Sequence, residues 1–198
     1  MIGLKKQITK RDNLEARRQT FHLAYGFIVI ASLYVIKQEI MAAILGFLII
    51  FGILISLICK KRQIPFISYM LELFGREKET NIMPGKGAIT TTTGFFISVL
   101  IFSKDIALAS IAILTFGDAI STIIGKKLGT TKICNKSLEG TVSGIIVSAI
   151  ACSFITPLFP AIIASTIGML SELIDLKFID DNILIPMLSG ITLTLIMV

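Results

Sequence analysis

The sequence predicts an all-α, polytopic integral membrane protein of about seven transmembrane helices, with its N-terminus in the cytoplasm. Three observations predict it. Of 198 residues, 54% are hydrophobic and only 16% charged, with mean hydropathy +0.87; soluble domains carry about 25% charged residues. Seven apolar runs follow one another, separated by short polar segments. With the N-terminus inside, every Lys and Arg except Lys37 and Lys104 falls on that same side, the bias of cytoplasmic loops. The net charge of +6 is thus a topological signal and does not point to nucleic acid. A single membrane domain covers residues 1–198, with a cytoplasmic or interfacial segment at 1–19 and cytoplasmic loops at 60–86 and 126–139.

Residues 1–19 are basic, and Asp12-Asn13 offers a helix start, so an interfacial amphipathic helix is expected to merge into the first span at 20–36. Arg18 and His22 stand four residues apart on one helical face at the membrane boundary. The second span, 40–59, is nearly pure Ile, Leu, Phe, Ala and Gly, a lipid-facing scaffold with no chemistry to offer. The connection 63–86 holds ISYMLELFG, a candidate surface helix, and ends in Pro84-Gly85-Lys86-Gly87. The third span, 87–103, aligns Gly87, Thr91, Gly94 and Ser98, small residues that let helices approach closely. The fourth, 106–125, recurs in polar residues at Asp118, Ser121, Thr122 and Gly125, one stripe at helical spacing. The fifth, 140–157, aligns Gly140, Gly144 and Ser148 and ends at Pro157 and Pro160. The sixth, 161–176, contains Glu172 and Asp175; the seventh, 183–198, follows Asp180-Asp181-Asn182. Cys59, Cys134 and Cys152 show no metal-ligand or disulfide spacing and read as small apolar or interfacial residues.

Asp118 lies seven residues before Gly125, about 10 Å inside the span end at 1.5 Å per residue. Its side chain is too short to reach water easily, so it requires a partner, a metal ion or a wet cavity. Asp118, Glu139, Glu172 and Asp181 all fall on the cytoplasmic side, as do Lys126, Lys127, Lys132 and Lys136. Acids gathered near lipid repel one another unless a cation sits among them. Carboxylates suit Mg²⁺, which takes one or two of them together with phosphate oxygens. Lysines and glycine amides at a helix start suit the phosphates themselves. The residues therefore describe a Mg²⁺-nucleotide site opening toward the cytosol. No Walker motif is present.

Four segments resemble a known family. GDAISTIIGKKLG at 117–129, followed by KSLEGT at 136–141, resembles the signature of the CTP-dependent lipid kinases: dolichol, phytol and farnesol kinases and the fungal CTP-dependent diacylglycerol kinase. EARRQTFHLAYG (15–26), GKGAITTTTGFF (85–96) and SELIDLKFIDDNILIPMLSG (171–190) resemble three further parts of its pattern. The resemblance implies transfer of the CTP γ-phosphate to the hydroxyl of a membrane lipid alcohol, with a divalent metal such as Mg²⁺. A polyprenol such as dolichol is the first acceptor it suggests. It makes Asp118 a metal or phosphate-site acid and Lys136, Ser137, Glu139, Gly140 and Thr141 the nucleotide loop. Lys126, Lys127 and Lys132 support the phosphates. Glu172, Asp181 and Asn182 complete the polar site, with Arg18 and His22 near the lipid head or nucleotide. Glu139 is taken as general base and, with Asp118, as metal ligand.

Two other functions would use similar residues. A cytidylyltransferase would make a CDP-lipid from the same nucleotide. A small ion-coupled carrier would also need intramembrane acids, but the chain shows no inverted repeat, and its acids gather at one face instead of the midplane.

Overall fold

The computed structural model describes residues 2–61, 83–134, 136–174 and 179–197. They form seven helices: α1 (Ile2–Val35), α2 (Gln38–Lys61), α3 (Lys86–Ile101), α4 (Lys104–Leu128), α5 (Leu138–Ser153), α6 (Leu158–Ser171) and α7 (Asp181–Met197). Between α4 and α5 lies a small antiparallel hairpin, β1 (Lys132–Ile133) and β2 (Lys136–Ser137), which pairs Lys132 with Ser137 and Ile133 with Lys136. ISYMLELFG, Asp175 and Lys177 lie outside the described residues.

The helices begin and end for local reasons. Gly85 takes the left-handed backbone (φ 77°) that turns the chain into α3. Ser137 caps α5 by accepting from the Gly140 amide at 3.1 Å. Pro157 and Pro160 stand at the start of α6, where missing amide donors cost little. Lys126 and Lys127, expected in a loop, remain helical in the last turn of α4, where cations complement the helix dipole. The Asp12-Asn13 start is also overridden. α1 runs unbroken from Ile2, because a cap preference of about 1 kcal/mol yields to continuous backbone hydrogen bonding.

Helix α4 is the centre of the molecule. It packs against α1, α3, α5, α6 and α7, and its residues Ile106–Thr115 are almost all enclosed. Phe95, Leu108, Ile111, Leu114, Ile185 and Leu193 belong to the core around it. α2 is the opposite case. It leans on α3 through Met41 and Leu45 and leaves Phe47, Ile50, Phe51, Leu54 and Leu57 exposed. An apolar surface of that extent marks a membrane or binding face. α2 and α4 are long and apolar enough to cross a membrane; α3, α5, α6 and α7 are shorter.

The deepest seam joins α4 to α5. A Cβ added at Gly140 would stand 2.6 Å from the Ser121 carbonyl oxygen, and one at Gly144 would stand 2.9 Å from Ser121 Cβ. Small residues on both helices thus bring the two backbones together. α3 meets α7 in the same way, through buried Thr91, Gly94 and Ser98. There Gly94 lies against the carbonyl of Asn182. Pro186, four residues on, has no amide to bond that carbonyl.

Candidate functional site

The polar residues collect at one end of the bundle. α4 presents Asp118 and Ser121 toward Glu172, which follows the last turn of α6. The Ser121 hydroxyl donates to the Asp118 carbonyl at 3.2 Å and lies 3.2 and 3.4 Å from the two Glu172 carboxylate oxygens. Asp118 and Glu172 meet side chain to side chain. Lys136, delivered by β2, forms an ion pair with the fully enclosed Glu172 and a second, at 3.7 Å, with Asp181. Burial disfavours the charge on Lys136. Glu172 first, then Asp118 and Asp181, outweigh it and hold the ammonium above its ordinary pKa.

The first residues of α7 divide their work. Asp181 faces Lys136, whereas Asp180 accepts from the Asn182 side chain at 2.8 Å and pairs with Lys86 at 3.6 Å. Asn182 also donates to Thr90 Oγ1 at 3.2 Å, tying α7 to α3. On the other flank, Arg18 and His22 of α1 are electrostatic neighbours of Asp118. Arg18 pairs with Glu15, which also reaches Lys126 at 2.8 Å. Glu15 was not singled out in the sequence. Its i,i+3 spacing to Arg18 was visible there, but its contact with α4 is tertiary.

Between α4, the hairpin and α5 lies an open cavity of about 400 Å³. Lys126, Lys132, Lys136, Ser137, Gly140 and Thr141 line it, with Ser121, Thr122, Gly125, Gly129, Cys134 and Glu172. Six of the eight residues expected around the nucleotide are thus on one wall system, built around the N-terminus of α5; Lys127, which is exposed, and Glu139 are not among the lining residues. Lysines and a helix N-terminus are a setting for phosphate.

Glu139 stands elsewhere. Its carboxylate accepts from the Thr130 hydroxyl and from the Thr131 amide at 3.0 Å. The Thr130 bond first, then backbone amides including that of Thr131, push its pKa down to about 2. It thus staples the segment between α4 and the hairpin to the start of α5, and it is not among the principal groups acting on Asp118 or Glu172. Among the described residues no three His, Cys, Asp or Glu converge as a metal cage. Asp118 and Glu172 are the carboxylates that meet, and a Mg²⁺ that shares phosphate oxygens needs no more than two.

No family model and no solved structure matches the chain. It is 36% identical to an uncharacterized protein of Methanocaldococcus jannaschii over 87% of this chain and 88% of that one. It is 27% identical to CTP-dependent diacylglycerol kinase 1 of Saccharomyces cerevisiae over 89% of this chain and 71% of that one. For the same kinase of Schizosaccharomyces pombe the identity is 30%, over 62% of this chain and 64% of that one. The chain therefore belongs to one family with the archaeal protein and is a homologue of the fungal CTP-dependent diacylglycerol kinases.

Proposed function

We propose that the protein is an integral membrane kinase that transfers the γ-phosphate of CTP to the hydroxyl of a membrane lipid alcohol, at a Mg²⁺-nucleotide site facing the cytoplasm. The observation that carries this reading is Lys136. It stands in the cavity wall and is at the same time paired with Glu172 and Asp181, beside Asp118. The lysine-lined cavity would bind the triphosphate, with Lys126, Lys132 and Lys136 against its charges and the α5 amides at one end. Asp118 and Glu172 would hold the metal, which would supply positive charge to neutralise the phosphates. The lipid oxygen would bond to the γ-phosphorus as the bond from that phosphorus to the β–γ bridging oxygen breaks. CDP leaves, and the hydroxyl proton is released.

The use of CTP is supported by the names of the fungal relatives. The same names put diacylglycerol beside the polyprenol as an acceptor to test. A membrane location is supported by the apolar exterior of α2 and by the length of α2 and α4. Orientation is supported by charge. Arg18, Lys86, Lys126, Lys132 and Lys136 gather at the site end, while Lys104 reaches the Tyr34 carbonyl at the far end of α1. In this arrangement all seven helices cross, the short ones of 14 to 17 residues spanning about 21 to 26 Å.

The deciding experiment incubates the purified protein in detergent with Mg²⁺, γ-³²P-CTP and either a polyprenol or dioleoylglycerol, resolved by thin-layer chromatography. A labelled lipid together with CDP establishes the kinase and names its acceptor. Release of pyrophosphate from CTP when a lipid phosphate is supplied replaces it with a cytidylyltransferase. A folded protein that does neither sinks both.

A further inference from the structure

Three of the four residues in the polar stripe of α4 have a partner or a packing role; Thr122 has neither. Asp118 meets Glu172, Ser121 bonds to Glu172, and a Cβ added at Gly125 would stand 2.8 Å from Ser137 Oγ. The Thr122 hydroxyl makes no hydrogen bond among the described residues. Threonines inside helices commonly turn the hydroxyl back to the carbonyl four residues earlier. Thr20, Thr92, Thr93, Thr166, Thr192 and Thr194 do so here, at 2.7–2.9 Å. For Thr122 that carbonyl belongs to Asp118, and Ser121 already donates to it at 3.2 Å. Thr122 stands half-buried in the cavity wall instead. A second hydroxyl of that wall is also unpaired: Thr141 of α5 is 4% exposed, and its Oγ1 has no partner.

The neighbours indicate what the free hydroxyl would meet. Asp118, Thr122 and Lys126 follow one another at four-residue steps, about 6 Å apart along one side of α4. Lys126, Lys132 and Lys136 line the same cavity as Thr122. Three ammonium groups around one cleft concentrate an anion there. Ionised phosphate oxygens accept hydrogen bonds and do not donate them, which suits a hydroxyl that has its proton to give. A triphosphate reaching from Lys126 to a metal held at Asp118 passes Thr122.

We propose that the Thr122 hydroxyl donates a hydrogen bond to a phosphate oxygen of the bound nucleotide, between Asp118 and Lys126. The inference rests on the nucleotide reading of the cavity and adds to it a binding residue outside the KSLEGT loop. Thr122→Val keeps the shape and loses the hydroxyl, whereas Thr122→Ser keeps the hydroxyl. Binding is read without turnover, by isothermal titration of the purified protein in detergent and Mg²⁺. The ligands are CTP and inorganic tripolyphosphate, which carries the phosphates and no nucleoside. T122V is expected to weaken both roughly tenfold, the loss of one hydrogen bond to a charged group, and T122S to stay within about twofold of the parent. Because the hydroxyl has no partner in the protein, T122V should keep the parent's thermal midpoint; a lower midpoint makes Thr122 a structural residue and overturns the inference. CTP weakened with tripolyphosphate unmoved places the hydroxyl on the nucleoside, which overturns it too. So do a T122V that binds both ligands like the parent, a T122S as weak as T122V, and a parent that binds CTP but not tripolyphosphate. Each of these leaves the cavity as the nucleotide site. A folded parent that binds neither ligand ends the nucleotide reading and this inference with it. A parent that binds CTP and phosphorylates no alcohol sinks the kinase alone, and the titrations still decide the contact.

Discussion

Lys136 joins the two halves of the site, because its one ammonium faces the cavity and two acids from separate helices. Lys136→Ala is expected to raise the KM for CTP at least tenfold while changing that for the lipid little; an unchanged CTP dependence would remove it from the nucleotide site. The same change strips a buried carboxylate of its cation. Stability should therefore fall by about 3 kcal/mol, read as thermal unfolding in detergent. Asp118→Asn keeps the volume and removes the charge. It should lower turnover on the order of 10³-fold, with the protein still extracted folded and its thermal midpoint near that of the parent. Activity retained in that variant would strip Asp118 of its assigned role. Asp118 was legible in the sequence because a carboxylate deep in an apolar run has few structural reasons to be there. Glu139 was equally visible, but side-chain direction is not. Whether its carboxylate turns to Asp118 and Glu172 or to Thr130 and Thr131 depends on how the chain folds back after Gly129.

At the scale of elements, the site depends on how closely α4 and α5 approach. Ser121 and Gly125 of one helix face Gly140 and Gly144 of the other at distances that leave no room for a methyl group. The obstacle at Gly140 is the Ser121 carbonyl, a backbone atom that cannot swing aside. Gly140→Ala should therefore destabilise by about 2 kcal/mol and weaken CTP binding, because the displaced α5 carries the cap Ser137 and the cavity wall with it. Thermal unfolding with and without CTP measures both effects; a variant with parental stability and parental CTP shift would show that the seam tolerates separation. The small-residue faces could be read from spacing alone. The partner of each face could not, since α3 offers the same pattern and uses it on α7.

At the scale of the whole molecule, the seven helices put acids and lysines at one end of the bundle and apolar side chains around it. Cys134 supplies a native reporter. It is exposed, follows β1 with a left-handed backbone (φ 52°) and lines the cavity, whereas Cys152 is buried. A membrane-impermeant maleimide is expected to label Cys134 in inverted membrane vesicles and to leave it untouched in intact cells, with CTP protecting it. Labelling from outside intact cells would reverse the orientation. Labelling indifferent to CTP would move the nucleotide out of the cavity.

The all-helical class, the order of the seven apolar segments and the side on which charge gathers followed from the sequence. Each rests on a property summed over many residues, namely hydropathy, helical spacing and the lysine and arginine bias, and such sums survive errors of a residue or two at every boundary. The chemical candidates were legible for a related reason: Asp118, Glu172 and Lys136 are charges set among or beside apolar spans. Tertiary structure alone decided their partners. Asp181 rather than Asp180 meets Lys136, Glu172 rather than Glu139 meets Asp118, and Glu15 joins Arg18 to Lys126. Those choices turn on ångström differences in helix rotation and loop return, which summed periodicity does not encode.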